Sequence, residues 1–191
     1  FRNSGSGLET SPSWASAEIS IQNTAAAFDF DGDGDLDIAV AKWVNFESAI
    51  YRNESGTLET TPTWGIGSTS SDRGVTTGDV DGNGDSDMMI GVGNTGSKLY
   101  SNTDGVLSPT YNANPPFKGQ QEIVLVDFDN DGDQDFAEVH FSDGKTHLYV
   151  NTDGVLSTVP DWTFDATEVG NAIAFGDLNG DGWKDLVVGY S

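Results

Sequence analysis

The chain has 191 residues, a length that suits one domain of ordinary size or a set of small repeats. Its 8 Lys and Arg against 31 Asp and Glu give a formal net charge of −23, which argues against nucleic acid or an anionic membrane surface as the partner, because both attract basic proteins. Cysteine is absent, so there are no disulfides. No apolar run reaches about 18 residues, and we therefore expect no membrane insertion. The sequence begins with Phe1, which indicates a processed or trimmed chain.

The acidic residues are collected in four short segments, which we call the acidic loops. The segments read DFDGDGDLD, DVDGNGDSD, DFDNDGDQD and DLNGDGWKD, and they occupy residues 29–37, 79–87, 127–135 and 177–185. Their first aspartates stand about 50 residues apart, a period that is typical of repeat architectures.

Each acidic loop lies between two runs that are typical of β-strands. The runs before the loops are TAAAF, GVTTG, EIVLV and AIAFG, and those after them are LDIAVA, DMMIGV, DFAEVHF and DLVVGY. A third strand carries the Tyr-x-Asn motif of Tyr51, Tyr100 and Tyr149, and a fourth runs to a recurring aromatic residue. No segment shows a sustained helical period, so we predict no helices. The recurring aromatics, which we expect to pack between repeats, are Trp14, Trp64, Tyr111 and Trp162.

Repeats of four strands and this length are typical of the blades of a β-propeller. The sequence therefore predicts an all-β protein with a single domain over 1–191, built as a propeller of four four-stranded blades. The N-terminal strands 3 and 4 would close the last blade by pairing with the C-terminal strands 1 and 2. The alternatives are half of an eight-bladed ring or a fragment of a larger propeller. The predicted repeat units are 15–64, 65–111, 112–162, and 163–191 together with 1–14.

The acidic loops share the pattern D-x-[DN]-x-[DN]-G-x-x-D, which predicts four Ca²⁺ sites. Side-chain oxygens of positions 1, 3, 5 and 9 and the backbone carbonyl of position 7 would be hard oxygen ligands, and glycine at position 6 allows a sharp turn. Asx-turns alone explain Asp, Asn and Gly between strands, but not three or four carboxylates within nine residues. The predicted ligands are Asp29, Asp31, Asp33, Asp35, Asp37, Asp79, Asp81, Asn83, Asp85, Asp87, Asp127, Asp129, Asp131, Asp133, Asp135, Asp177, Asn179, Asp181, Trp183 and Asp185.

At the strand ends opposite the acidic loops, equivalent positions of the four repeats hold different residues. Variable polar and aromatic residues on the loops of a rigid scaffold are candidates for ligand contact, and Trp43 is suited to stack on a sugar ring or a partner side chain. The alternative is that each is an ordinary solvated loop residue. The candidates are Asn23, Lys42, Trp43, Arg73, Gln121, His140, Asn171 and Tyr190.

No catalytic site is predicted. The chain has two histidines, no cysteine and no G-x-S-x-G motif around a serine. A pair of carboxylates for glycoside hydrolysis is not excluded by counting, because acids are abundant. The acids that cluster are, however, already explained as metal ligands.

The sequences DFDGDGDLDIAVA and DLNGDGWKDLVVG resemble FG-GAP (VCBS) repeats, the blades of integrin α-subunit propellers and of many secreted bacterial proteins. The resemblance covers nearly the whole chain, although the Phe-Gly and Gly-Ala-Pro tags are mostly absent. It implies calcium between strands 1 and 2, an extracellular setting, secreted or at the cell surface, and seven or eight blades in familiar members. Four repeats depart from that number.

Together these features predict a calcium-stabilised extracellular module that binds a glycan or a protein and is not an enzyme. One alternative is a structural unit of a surface or matrix assembly, in which a homo-oligomer exchanges strands between neighbours. The other is a catalytic or non-catalytic part of a polysaccharide-degrading enzyme, because some secreted polysaccharide lyases resemble this chain in using calcium propellers.

Overall fold

The computed structural model describes residues 1–3, 5–43, 46–65, 71–92, 96–112 and 119–191, with only the backbone of 111 and 112. All regular structure in these ranges is β-strand, which confirms the all-β prediction for them. The strands are β1 (Ile21–Phe28), β2 (Asp37–Trp43), β3 (Ala49–Tyr51), β4 (Asn53–Glu54), β5 (Thr57–Leu58), β6 (Trp64–Gly65), β7 (Asp72–Gly78), β8 (Asp87–Val92), β9 (Gly96–Thr103), β10 (Val106–Asn112), β11 (Gln120–Val126), β12 (Asp135–His140), β13 (Lys145–Tyr149), β14 (Asn151–Thr152), β15 (Val155–Leu156), β16 (Trp162–Asp165), β17 (Gly170–Gly176) and β18 (Asp185–Tyr190).

These strands form four antiparallel blades in chain order. Blade 1 has the order β1-β2-β3-β6, blade 2 β7-β8-β9-β10 and blade 3 β11-β12-β13-β16, while β17 and β18 form the two-stranded blade 4. Two small hairpins, β4-β5 and β14-β15, lie between the third and fourth strands of blades 1 and 3. The first strand of every blade carries a register shift near its start, so the four units repeat in detail as well as in strand order.

Apolar side chains fill the spaces between neighbouring blades. The cluster between blades 1 and 2 includes Phe28, Ile50 and Met88, and the next includes Phe136 and Tyr149. Small residues on the first strands let the backbones of neighbouring blades come close together. A Cβ on Gly74 would lie 2.8 Å from Ile123 Cγ1, so the first strands of blades 2 and 3 are as close as glycine permits. Burial of these apolar surfaces is the main force that holds one blade to the next.

The recurring tryptophans pack between repeats, as predicted, in the first two cases. Trp14 meets Tyr51 edge-on with ring centroids 5.4 Å apart, and Trp64 meets Tyr100 in the same way at 5.4 Å. In both pairs the tryptophan ends one unit and the tyrosine belongs to the next. Trp162 differs, because 45% of it is exposed. The side chain of the fourth residue in this series, Tyr111, lies outside the described part of the chain.

The predicted closure of the last blade is not found. Among the described residues β18 pairs only with β17. The N-terminal segment instead lies on blade 1, where Arg2 donates to the Gly56 carbonyl at 3.1 Å and Trp14 Nε1 donates to the Glu59 carbonyl at 3.0 Å.

Asparagines of the Tyr-x-Asn motif connect blades 2 and 3 to the acidic loop of the preceding blade. Asn102 is 1% exposed, and its Nδ2 donates to the carbonyls of Phe30 in the preceding loop at 2.8 Å and of Ser86 in its own blade at 3.1 Å. Asn151 repeats this arrangement one blade later, with the carbonyl of Val80 at 2.8 Å. These asparagines fix the position of one blade relative to its neighbour.

We expect Asn151→Ala to lower the free energy of unfolding by about 2 kcal/mol, because it leaves buried carbonyls without a donor. Asn53→Ala is the matched control in blade 1. The Nδ2 of Asn53 donates to the Leu36 carbonyl at 3.2 Å, within the same blade and in a more exposed setting. Urea denaturation measures both variants. Equal losses for the two variants would show that the link between blades adds nothing to stability.

Candidate functional site

The acidic loops turn sharply at two positions. The position-6 glycines, Gly34, Gly84, Gly132 and Gly182, have φ between 90° and 104°, as the sequence predicted. Position 4 is also left-handed, and there blade 3 carries Asn130 at φ 59° instead of glycine. Asparagine tolerates this conformation better than most residues do. The two turns fold nine residues into a compact loop between strands 1 and 2 of each blade.

Hydrogen bonds inside the loops hold the carboxylates in place. The side chain of Asp29 at position 1 accepts the N–H groups of Gly32 at 2.8 Å and Gly34 at 2.9 Å. At position 5 the Asp33 carboxylate accepts the N–H of Asp35 at 2.8 Å. The other loops repeat parts of this pattern. The side chains of the early positions therefore converge on one side of the loop.

Three acidic loops bring three carboxylates together, with one oxygen of each within 4.8 Å of the others. Like charges at that distance repel by about 3 kcal/mol per pair at an effective dielectric constant of about 20. Asp31 Oδ1 and Asp127 Oδ1 are buried and accept no hydrogen bond from the described residues. Oxygen atoms that repel one another and lack donors fit a hard cation. The clusters are Asp29, Asp31 and Asp33; Asp79, Asp81 and Asp87; and Asp127, Asp129 and Asp135.

The ninth-position aspartates have a structural role that the sequence did not reveal. Asp87 is fully buried, and its carboxylate accepts the N–H of Val80 at 2.8 Å and that of Asn102 at 2.7 Å. Asp37 and Asp135 make the same two kinds of bond in their blades. Burial raises the pKa of all three, and that of Asp135 to about 6. Each of them joins its acidic loop to the backbone of the asparagine in the Tyr-x-Asn motif, at or just after the third strand.

The seventh-position aspartates also use their side chains, where only a backbone ligand was predicted. Asp85 Oδ2 accepts the N–H of Asp104 at 2.9 Å, and Asp133 Oδ2 accepts that of Asp153 at 2.7 Å. Both donors sit at the turn that follows the third strand, with φ near 50°. The acidic loop and this turn therefore support each other.

The fourth loop differs from the other three. Asp177 accepts the N–H groups of Gly180 at 2.6 Å and Gly182 at 2.9 Å. These hydrogen bonds, and the one from Gly182 most strongly, lower the pKa of Asp177. Position 3 is Asn179 and position 7 is Trp183, which is 57% exposed. Among the described residues this loop supplies no group of three converging carboxylates.

The first loop has a basic neighbour from the strand region that follows it. Arg52 Nη2 contacts the carboxylate Oδ2 of Asp31, and it also lies 2.9 Å from Glu54 Oε1. The equivalent residues in blades 2 and 3 are Ser101 and Val150, which carry no charge. Arg52 therefore partly neutralises one predicted calcium ligand.

At the opposite strand ends the structure brings four of the predicted ligand-contact residues together. Arg73 lies over the ring of Trp43, 5.1 Å from its centroid, and 4.1 Å from the centroid of Phe141. The Nη1 of Arg73 donates to Gln121 Oε1 at 3.0 Å. The Nδ2 of Asn23 donates to the carbonyl of Asp72, the residue that precedes Arg73. We call Asn23, Trp43, Arg73, Gln121 and Phe141 the Arg73 cluster; the sequence analysis missed Phe141.

Two other candidates do not face solvent, which corrects their prediction as surface ligand contacts. Lys42 is 2% exposed and forms an ion pair with Glu18. His140 is fully buried beside Glu138, 3.2 Å from its carboxylate. The remaining two, Asn171 and Tyr190, form hydrogen bonds with Ser191 and Thr146, away from the Arg73 cluster. The prediction failed because a variable strand end faces a neighbouring blade as often as it faces water.

A buried polar group in blade 3 also escaped the sequence analysis. Glu138 accepts hydrogen bonds from Ser97 at 2.6 Å and from Tyr149 at 2.8 Å. Burial acts to raise the pKa of Glu138, but the bonds from His140, Ser97 and Tyr149 hold it below its ordinary value. The available signal was a glutamate at a strand position that is Val40 in blade 1.

Four-stranded antiparallel units, each with an acidic loop between its first two strands, define the chain as a repeat protein with β-propeller-like blades. The chain belongs to the FG-GAP-like repeat family, whose model matches residues 29–90 and 127–188. No curated protein matches the sequence. The described residues contain no helix with the length and hydrophobicity that crossing a bilayer requires.

Solved structures with a similar fold include two lyases. The rhamnogalacturonan lyase PL11 of Bacillus licheniformis is similar with a TM-score of 0.56 and 16% identity, over 87% of this chain and 39% of that one. The exotype rhamnogalacturonan lyase YesX is similar with a TM-score of 0.55 and 15% identity, over 88% of this chain and 38% of that one. The chain thus spans about two fifths of the length of either lyase.

We expect Asp87→Asn to lower the free energy of unfolding by about 2 kcal/mol even in EDTA, because an amide has one acceptor oxygen for two buried N–H groups. Asp81→Asn is the control, since Asp81 is exposed and accepts one loop N–H at 3.2 Å. In EDTA it should be neutral or slightly stabilising, because it removes one of the repelling charges. Denaturation curves with and without calcium measure both variants. A cost of Asp87→Asn that disappears in EDTA would contradict the structural role.

Proposed function

We propose that this protein is a calcium-stabilised extracellular module that binds a glycan or protein ligand and does not catalyse a reaction. The observation that carries the calcium part is the convergence of three carboxylates in each of three acidic loops, all within 4.8 Å. Membership of the FG-GAP-like repeat family supports it. The binding part is supported by the Arg73 cluster, where polar and aromatic side chains meet at the opposite strand ends.

In each loop the side chains of positions 1, 3, 5 and 9 and the carbonyl of position 7 would hold the ion. These are oxygen donors without histidine or cysteine, a set that suits Ca²⁺ better than zinc or copper. The ion would neutralise carboxylates that otherwise repel one another. We rank the fourth loop weakest, because it has three aspartates and no converging group among its described residues.

Calcium in the acidic loops would also stabilise the blades and the contacts between neighbouring blades. In blades 2 and 3 the ninth-position aspartate accepts the backbone N–H of the asparagine in the Tyr-x-Asn motif. The side chain of the same asparagine donates to a carbonyl in the preceding acidic loop. Extracellular modules bind calcium with Kd on the order of 10⁻⁴–10⁻³ M. An extracellular site of action, where calcium is millimolar, is therefore part of the proposal.

Thermal unfolding in calcium and in EDTA tests the proposal. Binding to the folded state alone adds about 2.7 kcal/mol at 100 times Kd for a single site, so millimolar calcium should raise the melting temperature by many degrees. Magnesium at equal ionic strength is the control, because it screens the net charge of −23 equally well but demands a stricter octahedral site. An unchanged melting curve for metal-free protein, or equal effects of the two ions, would refute a calcium site.

We expect Arg52→Ser to raise the calcium affinity of the first loop by about two- to fivefold, because it removes a partly exposed cation that competes with calcium for Asp31. Serine is the residue at the equivalent position of blade 2, Ser101. The amide resonance of Gly34 reports on this loop during a calcium titration, and that of Gly84 serves as an internal reference. Arg2→Ser is the control for loss of an arginine. A weaker or unchanged first site in Arg52→Ser would show that Arg52 does not compete with the ion.

A second candidate function is a part of a polysaccharide-degrading enzyme, either catalytic or not, and it is favoured by the similarity to two rhamnogalacturonan lyases. Incubation of the chain with rhamnogalacturonan separates the candidates. A lyase generates unsaturated sugar ends, whereas a binding module retains the polymer uncut. A structural unit that assembles with copies of itself would instead show a concentration-dependent mass in light scattering.

A further inference from the structure

Arg73 is an unpaired cation in a very acidic protein. Its guanidinium lies against the rings of Trp43 and Phe141 and donates one hydrogen bond, to Gln121. No described carboxylate oxygen lies within 4.0 Å of it. The segments outside the described residues contain no Asp or Glu, so they supply no carboxylate either. The chain therefore leaves this charge for something else to neutralise.

The surroundings hold the guanidinium in one place. Thr24 Oγ1 fixes the strand backbone next to Arg73, because it donates to the carbonyl of Arg73 at 3.4 Å and accepts the N–H of Val75 at 3.0 Å. Phe141 is anchored by a hydrogen bond from its N–H to the Gly119 carbonyl at 2.9 Å. Gly119 has φ 86°, and a Cβ there would lie 3.0 Å from the Phe141 ring. A fixed, half-buried guanidinium loses little freedom when it binds, which favours affinity.

We propose that the Arg73 cluster binds the carboxylate of an acidic sugar residue in a glycan chain. The inference rests on the binding part of the proposed function and names its ligand class. The planar fork of arginine matches a carboxylate and binds it with two parallel hydrogen bonds. Beside it, Trp43 is 38% exposed and offers a ring to the apolar face of a sugar. The amides of Asn23 and Gln121 are suited to sugar hydroxyls.

An acidic sugar fits this surface better than an acidic peptide. The cluster has one cation, and its other members are aromatic or amide side chains. A peptide with several carboxylates would find one arginine to pair with, and its other carboxylates would be repelled by a protein of net charge −23. A sugar residue instead brings one carboxylate for Arg73 together with hydroxyls for the two amides. The acidic loops do not prevent this contact. Arg73 and the start of the loop at Asp79 lie at opposite ends of β7, about 20 Å apart, which is beyond the Debye length of about 8 Å at physiological salt.

Titration with two matched trisaccharides tests the proposal. The probes are trigalacturonate and its fully methyl-esterified form, which has the same shape without the charges, and the protein is held at fixed free calcium. We expect wild type to bind the acid at least about tenfold more tightly than the ester, and Arg73→Gln to lose that preference. Arg73→Lys keeps the charge but not the fork, so it should retain part of the preference. The intrinsic tryptophan fluorescence should respond to the acid, and Arg2→Gln should bind as wild type does.

Four outcomes would overturn the proposal. They are equal binding of acid and ester by wild type, unchanged preference in both Arg73 variants, tighter binding of a pentaglutamate peptide than of trigalacturonate, and binding that survives in Arg73→Gln but disappears in EDTA. The last outcome would mean that calcium on the acidic loops bridges to the sugar. Melting curves in calcium and EDTA, recorded on the same samples, keep the two proposals separate, because loss of sugar binding with a preserved calcium effect rejects only the Arg73 site.

Discussion

The structure depends on a buried carboxylate at the ninth position of the first three acidic loops. A carboxylate is costly to bury, and here the cost is offset by backbone N–H groups from two directions, the loop itself and the third strand. The residue that supplies the third-strand N–H, Asn102 in blade 2, then uses its side chain to reach the preceding loop. In blades 2 and 3, one aspartate and one asparagine thus couple loop, blade and neighbouring blade. A cation at the loop would act on all three.

The two ends of the blades have different chemistry because they meet different demands. At the loop end the repeats agree, since the same turn and the same hydrogen bonds are needed in every blade. At the other end the blades use unlike polar pairs to fill the space beside their neighbours: Lys42 with Glu18 in blade 1 and Glu138 with His140 in blade 3. Among the described residues, Arg73 at that end has no carboxylate oxygen within 4.0 Å.

What the sequence could predict follows from how local each feature is. The strands, the acidic loops and the left-handed glycine at position 6 depend on residues within about ten positions, and the structure has them where the pattern indicates. The roles of Asn102 and Asp85 were missed because their partners are distant or unexpected; the bond of Asn102 to Phe30 spans 72 residues. Lys42 and His140 were placed at the surface for the same reason, since burial at a strand end is decided by the next blade. Closure failed as a prediction because sequence repeats show which segments are equivalent, not which of them pair.

The exposed Trp162 shows what an unfinished blade lacks. Trp14 and Trp64 each cover a tyrosine from the third strand of the following unit. Blade 4 has no third strand among the described residues, so Trp162 has no such tyrosine and instead lines an open, mostly apolar groove of about 430 Å³ with Phe128 and Phe175. At the other end of the array the N-terminal segment already covers blade 1. The tryptophan–tyrosine contact described at blades 1 and 2 is therefore missing at blade 4, and Trp162 and Phe164 of β16 and Val187 of β18 are left exposed.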